Sequence, residues 1–129
     1  MSPRVIEERF WELILQNVPM SILVFDKNLK VIFANQNFLE KTRQNINNVM
    51  GKTVEDIFPS VLLKYTQLPD MLKRVFQVGR GIPGRDMVYR APGIPYRVYY
   101  YSLTPLKGEE ETVEKVMLLM EDITEQTRL

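Results

Sequence analysis

The sequence predicts an α+β domain built around one antiparallel sheet. Extended segments lie near both ends of the chain, and helical patterns occupy its start and its middle. The strongest strand signal is C-terminal, where residues 85–107 and 113–124 are dense in tyrosine, valine, leucine and methionine. Such residues suit a pleated surface that is packed on both faces. This order of elements favours a single sheet with helices packed against one face.

Composition sets the limits on size and class. The chain has 129 residues, 45% of them apolar, which corresponds to one domain with one core. Its formal net charge is +1, so we expect no nucleic-acid partner on electrostatic grounds. The longest apolar run, Val116 to Met120, is too short to span a membrane. We therefore expect a cytoplasmic protein without a membrane span in this chain.

Cysteine and histidine are both absent. A disulfide, a thiolate nucleophile, a Cys/His metal site and a His-ligated haem are therefore excluded. A Ser-His-Asp triad and a Cys-His dyad are equally impossible. We predict neither catalytic residues nor metal ligands, and the cofactor, if one is used, stays unknown.

An amphipathic helix is predicted over residues 1–18. Ser2 and Pro3 form a helix-start signal. Apolar residues then recur at spacings of three and four, which is typical of one helix face. This helix would cover the sheet, or be shared with a second copy, and we expect both. The candidate dimer residues are Ile6, Phe10, Trp11, Leu13 and Ile14.

The central segment is predicted to begin with a hairpin of two short strands, residues 22–25 and 31–34. Asn35 follows as the N-cap of a short helix. Residues 62–78 form a longer helical pattern, in which Pro69 marks a new start and Gly79 the end. The run Gly79-x-Gly81-x-x-Gly84 has dinucleotide-motif spacing, but it follows a helix and precedes a strand, so we interpret it as a loop.

Several short motifs resemble those of a PAS domain, the sensor module of bacterial histidine kinases and related regulators. The matching segments are Ile22-Leu23-Val24-Phe25-Asp26, Val31-Ile32-Phe33-Ala34-Asn35 with Phe38-Leu39, Gly51-Lys52-Thr53 before Ile57-Phe58-Pro59, Tyr99 to Leu106, and Asp122-Ile123-Thr124. Each motif alone has low specificity, whereas their order and spacing together are fairly specific.

The resemblance implies a five-stranded antiparallel sheet in the order 2-1-5-4-3, with helices on one face and the N-terminal helix on the other. Residues 19–124 would be the PAS core, and residues 125–129 the start of an outgoing signalling helix. Asp122, Ile123 and Thr124 would pass the signal to that helix. The domain would then be a regulatory module of a histidine kinase or transcriptional regulator, a homodimer with an effector domain in the same parent chain.

The resemblance and the alternation of side chains along strands together give a candidate ligand pocket. Its residues would be Phe25, Phe38, Leu72, Phe76, Met87, Tyr89, Tyr99, Tyr101, Leu103, Leu118 and Met120. Plain core packing explains the same pattern, and we rank this interpretation ahead of a ligand site. Buried tyrosines need hydrogen-bond partners, which would suit a small polar ligand or a trapped water. The missing cysteine excludes a Cys-linked flavin.

Three functions remain open at this point. The first is a sensor of a small ligand or partner that is not itself an enzyme. The second is a ligand-free dimerisation or docking module with a packed core. The third is a small isomerase-type enzyme, which would need an acid-base group in the pocket. The inward pattern offers tyrosines but no carboxylate, so we rank the enzyme last.

Overall fold

The computed structural model describes residues 3–127, and the side chains of residues 7–127. It contains a five-stranded antiparallel sheet in the order β2-β1-β5-β4-β3, as expected. The strands are β1 (Ser21–Phe25), β2 (Val31–Ala34), β3 (Ile82–Tyr89), β4 (Arg97–Lys107) and β5 (Val113–Asp122). The two long C-terminal strands form the centre of the sheet together with β1. The fold class predicted from the sequence is confirmed.

Six α-helices and one short 3₁₀ helix (Ile46–Asn48) accompany the sheet within the described residues. The α-helices are α1 (Pro3–Asn17), α2 (Gln36–Thr42), α3 (Val54–Ile57), α4 (Ser60–Thr66), α5 (Leu68–Val78) and α6 (Thr124–Thr127). The predicted restart near Pro69 is real, because Gln67 takes a left-handed conformation (φ 55°) between α4 and α5. Gly79, also left-handed, ends α5 through its backbone bond to Val75. Helices α3, α4 and α5 pack against each other, and α4 and α5 also pack on the sheet.

Asn35 is the N-cap of α2, as predicted, and it has a second role. Its Oδ1 atom accepts hydrogen bonds from the amides of Phe38 and Ile22. Its Nδ2 atom donates to the carbonyls of Leu15 and Met20. One buried amide side chain therefore joins the end of α1, the start of β1 and the start of α2. Because each of these bonds satisfies a buried or half-buried polar group, the arrangement of the three elements is well specified.

The inner face of the sheet, which faces α2 to α5, forms the core. The outer face carries Ile22, Val24 and Val98, which are buried, and Tyr100, which is 47% exposed. Val88, Met117 and Leu119 on this face are half-buried. Helix α1 contacts α2 most extensively, so its role as a cover for the outer face stays a prediction. Among the described residues, no helix is long and apolar enough to cross a membrane.

Candidate functional site

The candidate pocket residues lie together on the inner face. Ten of the eleven are buried, and these ten belong to one core cluster: Phe25, Phe38, Leu72, Met87, Tyr89, Tyr99, Tyr101, Leu103, Leu118 and Met120. Strand pairing explains the arrangement, because Met87 lies opposite Tyr99, and Leu103 opposite Leu118. Side chains of directly opposed residues project from the same face. Ten of the residues predicted for the pocket therefore form part of the core, and their role in binding a ligand stays a prediction.

Phe76 differs from the other ten. It is half-buried and only packs against the edge of the core. With Lys27 and Gln77 it lines two neighbouring surface clefts of about 470 and 320 Å³. Phe76 lies one residue beyond the fully buried Val75 and two residues before Val78, the last residue of α5. Its side chain therefore forms part of the surface rather than the centre of the core.

Four aromatic rings, here called the aromatic row, run from α2 across the core to β4. The ring centroids of Phe38 and Phe58 are 5.9 Å apart, those of Phe58 and Tyr89 6.2 Å, and those of Tyr89 and Tyr99 6.3 Å. The last two pairs are edge-to-face, a favourable geometry for aromatic rings. Phe58 was absent from the candidate set, although it follows the apolar Ile57 at the end of α3. The row provides continuous contact from Phe38 to Tyr99.

The hydroxyl of Tyr99 is the most unusual polar group of the core. The residue is fully buried, and its Oη atom has no hydrogen-bond partner among the described residues. Burial raises the pKa of Tyr99 well above its usual value, and it also raises the pKa values of Tyr89 and Tyr101. The Nε atom of Arg97, two residues earlier on the same face, is likewise without a partner. Unsatisfied buried groups of this kind point to a water or a ligand.

Asp122 is the centre of an ion-pair network at the end of β5. Its Oδ2 atom accepts a hydrogen bond from Lys41 Nζ at 2.6 Å and from Arg97 Nη1 at 3.1 Å. Its Oδ1 atom accepts from both the backbone amide and the hydroxyl of Thr124. We call Asp122, Lys41, Arg97 and Thr124 the Asp122 cluster. It joins β5 to α2, to β4 and to the first turn of α6.

The protonation state of Asp122 follows from these contacts. Burial raises the pKa of this carboxyl, but the hydrogen bonds from Lys41 and from the Thr124 hydroxyl and amide outweigh burial. The net result is a pKa far below the usual value for aspartate. Asp122 is therefore a carboxylate at neutral pH, and it keeps its acceptor role toward all four donors.

The segment Asp122-Ile123-Thr124 is fixed to β4. The amide of Ile123 donates to the carbonyl of Val98 at 2.8 Å, and the amide of Val98 donates to the Thr124 hydroxyl at 3.0 Å. Asp122 accepts a hydrogen bond from the first amide of α6, while the Thr124 hydroxyl accepts one from the amide of Val98 on β4. The direction in which α6 leaves the sheet depends on both side chains.

Lys41 was not found from the sequence. It lies on α2, three residues after Phe38 and 81 residues before its partner Asp122. A single exposed-looking lysine near a helix end carries no pattern that distinguishes it from a solvated one. Since Phe38 begins the aromatic row and Lys41 binds Asp122, one short helix contacts both the core and the outgoing segment.

The predicted dimer residues of α1 are largely exposed. Phe10, Trp11 and Leu13 are 59%, 55% and 64% exposed, and Ile14 is 37% exposed. The side chain of Ile6 lies outside the described residues, as do the chain ends of the predicted segments 1–18 and 125–129. Large apolar side chains exposed side by side are typical of an interaction surface. Whether this surface is a dimer interface stays a prediction.

The fold and the core arrangement define a class of small sensory domains. The family model of the PAS fold matches residues 15–128. The chain therefore belongs to the PAS family, as its motifs suggested. Among the described residues, no group of three or more acidic side chains is placed to hold a metal ion.

Solved structures agree with this assignment. VqmA of Vibrio cholerae, a dimeric LuxR-type receptor with a target DNA, superposes with a TM-score of 0.76 at 15% identity, over 95% of this chain and 53% of that chain. A phage VqmA in complex with DPO gives 0.73 at 22% identity, over 95% and 56%. A sensory box sensor histidine kinase of Vibrio cholerae gives 0.65 at 14% identity, over 94% of each chain.

These similarities concern the fold. This chain spans about half the length of the VqmA chains that it matches. Sensory modules of this fold thus occur both in histidine kinases and in regulators such as VqmA.

Proposed function

We propose that this domain is the regulatory sensor of a signal-transduction protein, either a histidine kinase or a transcriptional regulator. The observation that carries the proposal is the Asp122 cluster, because one carboxylate binds α2, β4 and the start of α6. A change in the core that displaces α2 or β4 would change the geometry at Asp122 and so the direction of the following helix. The domain itself has a regulatory and not a catalytic role.

The ligand would lie beside Tyr99. The buried Oη atom of Tyr99 and the Nε atom of Arg97 both lack partners among the described residues, and the rings around them are apolar. A small, mostly apolar molecule with one or two polar atoms would satisfy both groups. A ligand can shift the domain between two states only if it binds them unequally. Because Arg97 binds Asp122 through Nη1 while its Nε atom has no partner among the described residues, it is the residue through which such a preference would reach Asp122.

The proposed parent protein is a homodimer with an effector domain in the same chain. The exposed apolar residues of α1 support the dimer, and the dimeric state of VqmA is in line with it. VqmA also has a target DNA. The net charge of +1 predicts that any nucleic-acid contact of the parent belongs to another domain than this one.

Native mass spectrometry of the purified chain, followed by denaturation of the same sample, tests the proposal. We expect a dimer that carries an extra small mass, and the mass is expected to be lost from Tyr99→Phe but kept by Tyr100→Phe. Tyr100 is the matched control, because it lies on the outer face and is 47% exposed. In the parent protein, Asp122→Ala is expected to abolish the response while the domain stays folded. Full regulation in that variant would contradict the transmission role.

A second candidate is a ligand-free dimerisation or docking module. The dense packing of ten candidate residues in one cluster supports it. It predicts a dimer without bound mass in every preparation, and Tyr99→Phe would then leave both assembly and output unchanged. The two functions are therefore distinguished by the same pair of variants.

A further inference from the structure

A cleft of about 280 Å³ lies between α5 and the start of β3. Three arginines line it: Arg74 from α5, Arg80 from the connecting loop and Arg85 from β3. Its remaining walls are mostly apolar and consist of Met71, Val78, Gly81, Ile82 and Pro83.

None of the three guanidinium groups forms an ion pair within 4.0 Å with an acidic side chain of the described residues. Two acidic residues lie nearby in the sequence but form no such ion pair. Asp70 precedes Arg74 by four residues on α5, a spacing that allows helical ion pairs, and Asp86 adjoins Arg85. Three like charges around one small cleft repel each other unless an anion is bound between them. The arrangement therefore favours a negatively charged occupant.

The backbone of the cleft is held in place. Gly79 adopts φ +77°, which ends α5 and starts the loop. At Gly81 a Cβ atom would lie 2.8 Å from the carbonyl oxygen of Leu103, so the loop is pressed against β4 at a point where only glycine fits. Arg85 is on the same side of β3 as the buried Met87, two residues later, so its stem extends toward α5. Arg80 is thus presented on a fixed loop between two regular elements.

We propose that this cleft binds a small molecule that has an apolar part and one anionic group, either a phosphate or a carboxylate. Guanidinium groups bind both anions through paired hydrogen bonds. Met71, Val78 and Ile82 contact the apolar part. The volume suits a small ligand rather than a large cofactor. The proposal is independent of the sensor function and goes beyond it, since the cleft lies outside the core cluster.

The test is a titration of the folded chain in which the NMR chemical shifts of the backbone amides are measured. The probes are hexyl phosphate, hexanoate, inorganic phosphate and hexanol. We expect hexyl phosphate or hexanoate to shift the amides of residues 71–85 saturably, inorganic phosphate to bind more weakly, and hexanol to leave them unshifted. The stronger of the first two probes identifies the anion.

Two triple variants that each remove three positive charges test whether binding depends on the arginines of the cleft. The cleft variant is Arg74→Gln, Arg80→Gln and Arg85→Gln. The control variant is Lys52→Gln, Lys64→Gln and Lys115→Gln, three exposed lysines outside the cleft. We expect the Kd of the better probe to rise at least about tenfold in the cleft variant only. Equal weakening in both variants, or binding unchanged in the cleft variant, would overturn the proposal. If the cleft variant does not fold, Arg80→Gln alone replaces it, because this loop residue is exposed.

Discussion

Tyr99 lies directly opposite Asp122 in the antiparallel pairing of β4 with β5. The fully buried phenol and the carboxylate therefore project from the same face of the sheet, at adjacent positions. Arg97 lies two residues before Tyr99 on that face and binds Asp122. The last ring of the aromatic row is thus next to the ion-pair network that holds the outgoing segment.

Replacement of Asp122 by asparagine is expected to destabilise the domain by about 1–2 kcal/mol. Asparagine keeps the shape of the side chain but loses the negative charge that binds Lys41 and Arg97. Hydrogen bonds to a charged group stabilise more than neutral ones do, and partial exposure to solvent reduces this difference. Urea denaturation measures the change in free energy of unfolding. The control is Glu121→Gln, an exposed neighbour on the opposite face, which should change it by less than about 0.5 kcal/mol. Equal effects of the two variants would contradict the role of Asp122.

Acid is expected to weaken the fold through the same residue. The pKa of Asp122 is lower in the folded chain than the unfolded value of about 3.9. Its contribution to stability is therefore fully present above that value and is lost as the pH falls through the folded-state pKa. Urea denaturation at about pH 5 and at about pH 2.5 should show a larger loss for the native chain than for Asp122→Asn. The same pH dependence in both proteins would show that other carboxylates cause it.

Removal of the Tyr99 hydroxyl should distinguish an empty core from an occupied one. If nothing binds the buried Oη atom, Tyr99→Phe removes an unsatisfied polar group, and the free energy of unfolding should stay equal or rise by about 1 kcal/mol. With a bound ligand the variant should instead lose stability by about 1 kcal/mol or more, together with the bound mass. Our sensor proposal predicts the second result. Tyr100→Phe controls for the loss of a phenol at the exposed face.

A charge placed on α1 should separate the proposed dimer. Leu13→Glu places a carboxylate at a position that is 64% exposed in the single chain and that would be buried only by a second copy. We expect sedimentation equilibrium to show a monomer, with the domain still folded, because burial of an unpaired charge opposes association. Val61→Glu is the matched control, since Val61 on α4 is 74% exposed. Dissociation by the control alone would place the interface on α4.

Local patterns in the sequence predicted the strands and which of their side chains share a face, whereas the strand order and the choice of the inward face came from the resemblance to PAS domains. Period-two alternation placed Tyr99, Tyr101 and Leu103 on one face, and local turn chemistry identified Asn35 and Gly79. Contacts between distant segments have no such local signal. Lys41 is 81 residues from Asp122, and the missing partner of Tyr99 Oη depends on the packing of several elements. The half-buried position of Phe76 at the edge of the core depends on how α5 packs against the sheet, which helical spacing alone does not give.

The most direct test of the central claim is amide hydrogen exchange at Ile123 and Thr124 in Lys41→Gln. This change cuts the link from α2 to Asp122 and leaves β4, β5 and α6 unaltered in sequence. We expect faster exchange at both amides, which bind Val98 and Asp122, and unchanged exchange in the control Lys64→Gln. Exchange at Ile123 and Thr124 equal to that of the native chain would contradict the claim that α2 communicates with the outgoing helix through Asp122.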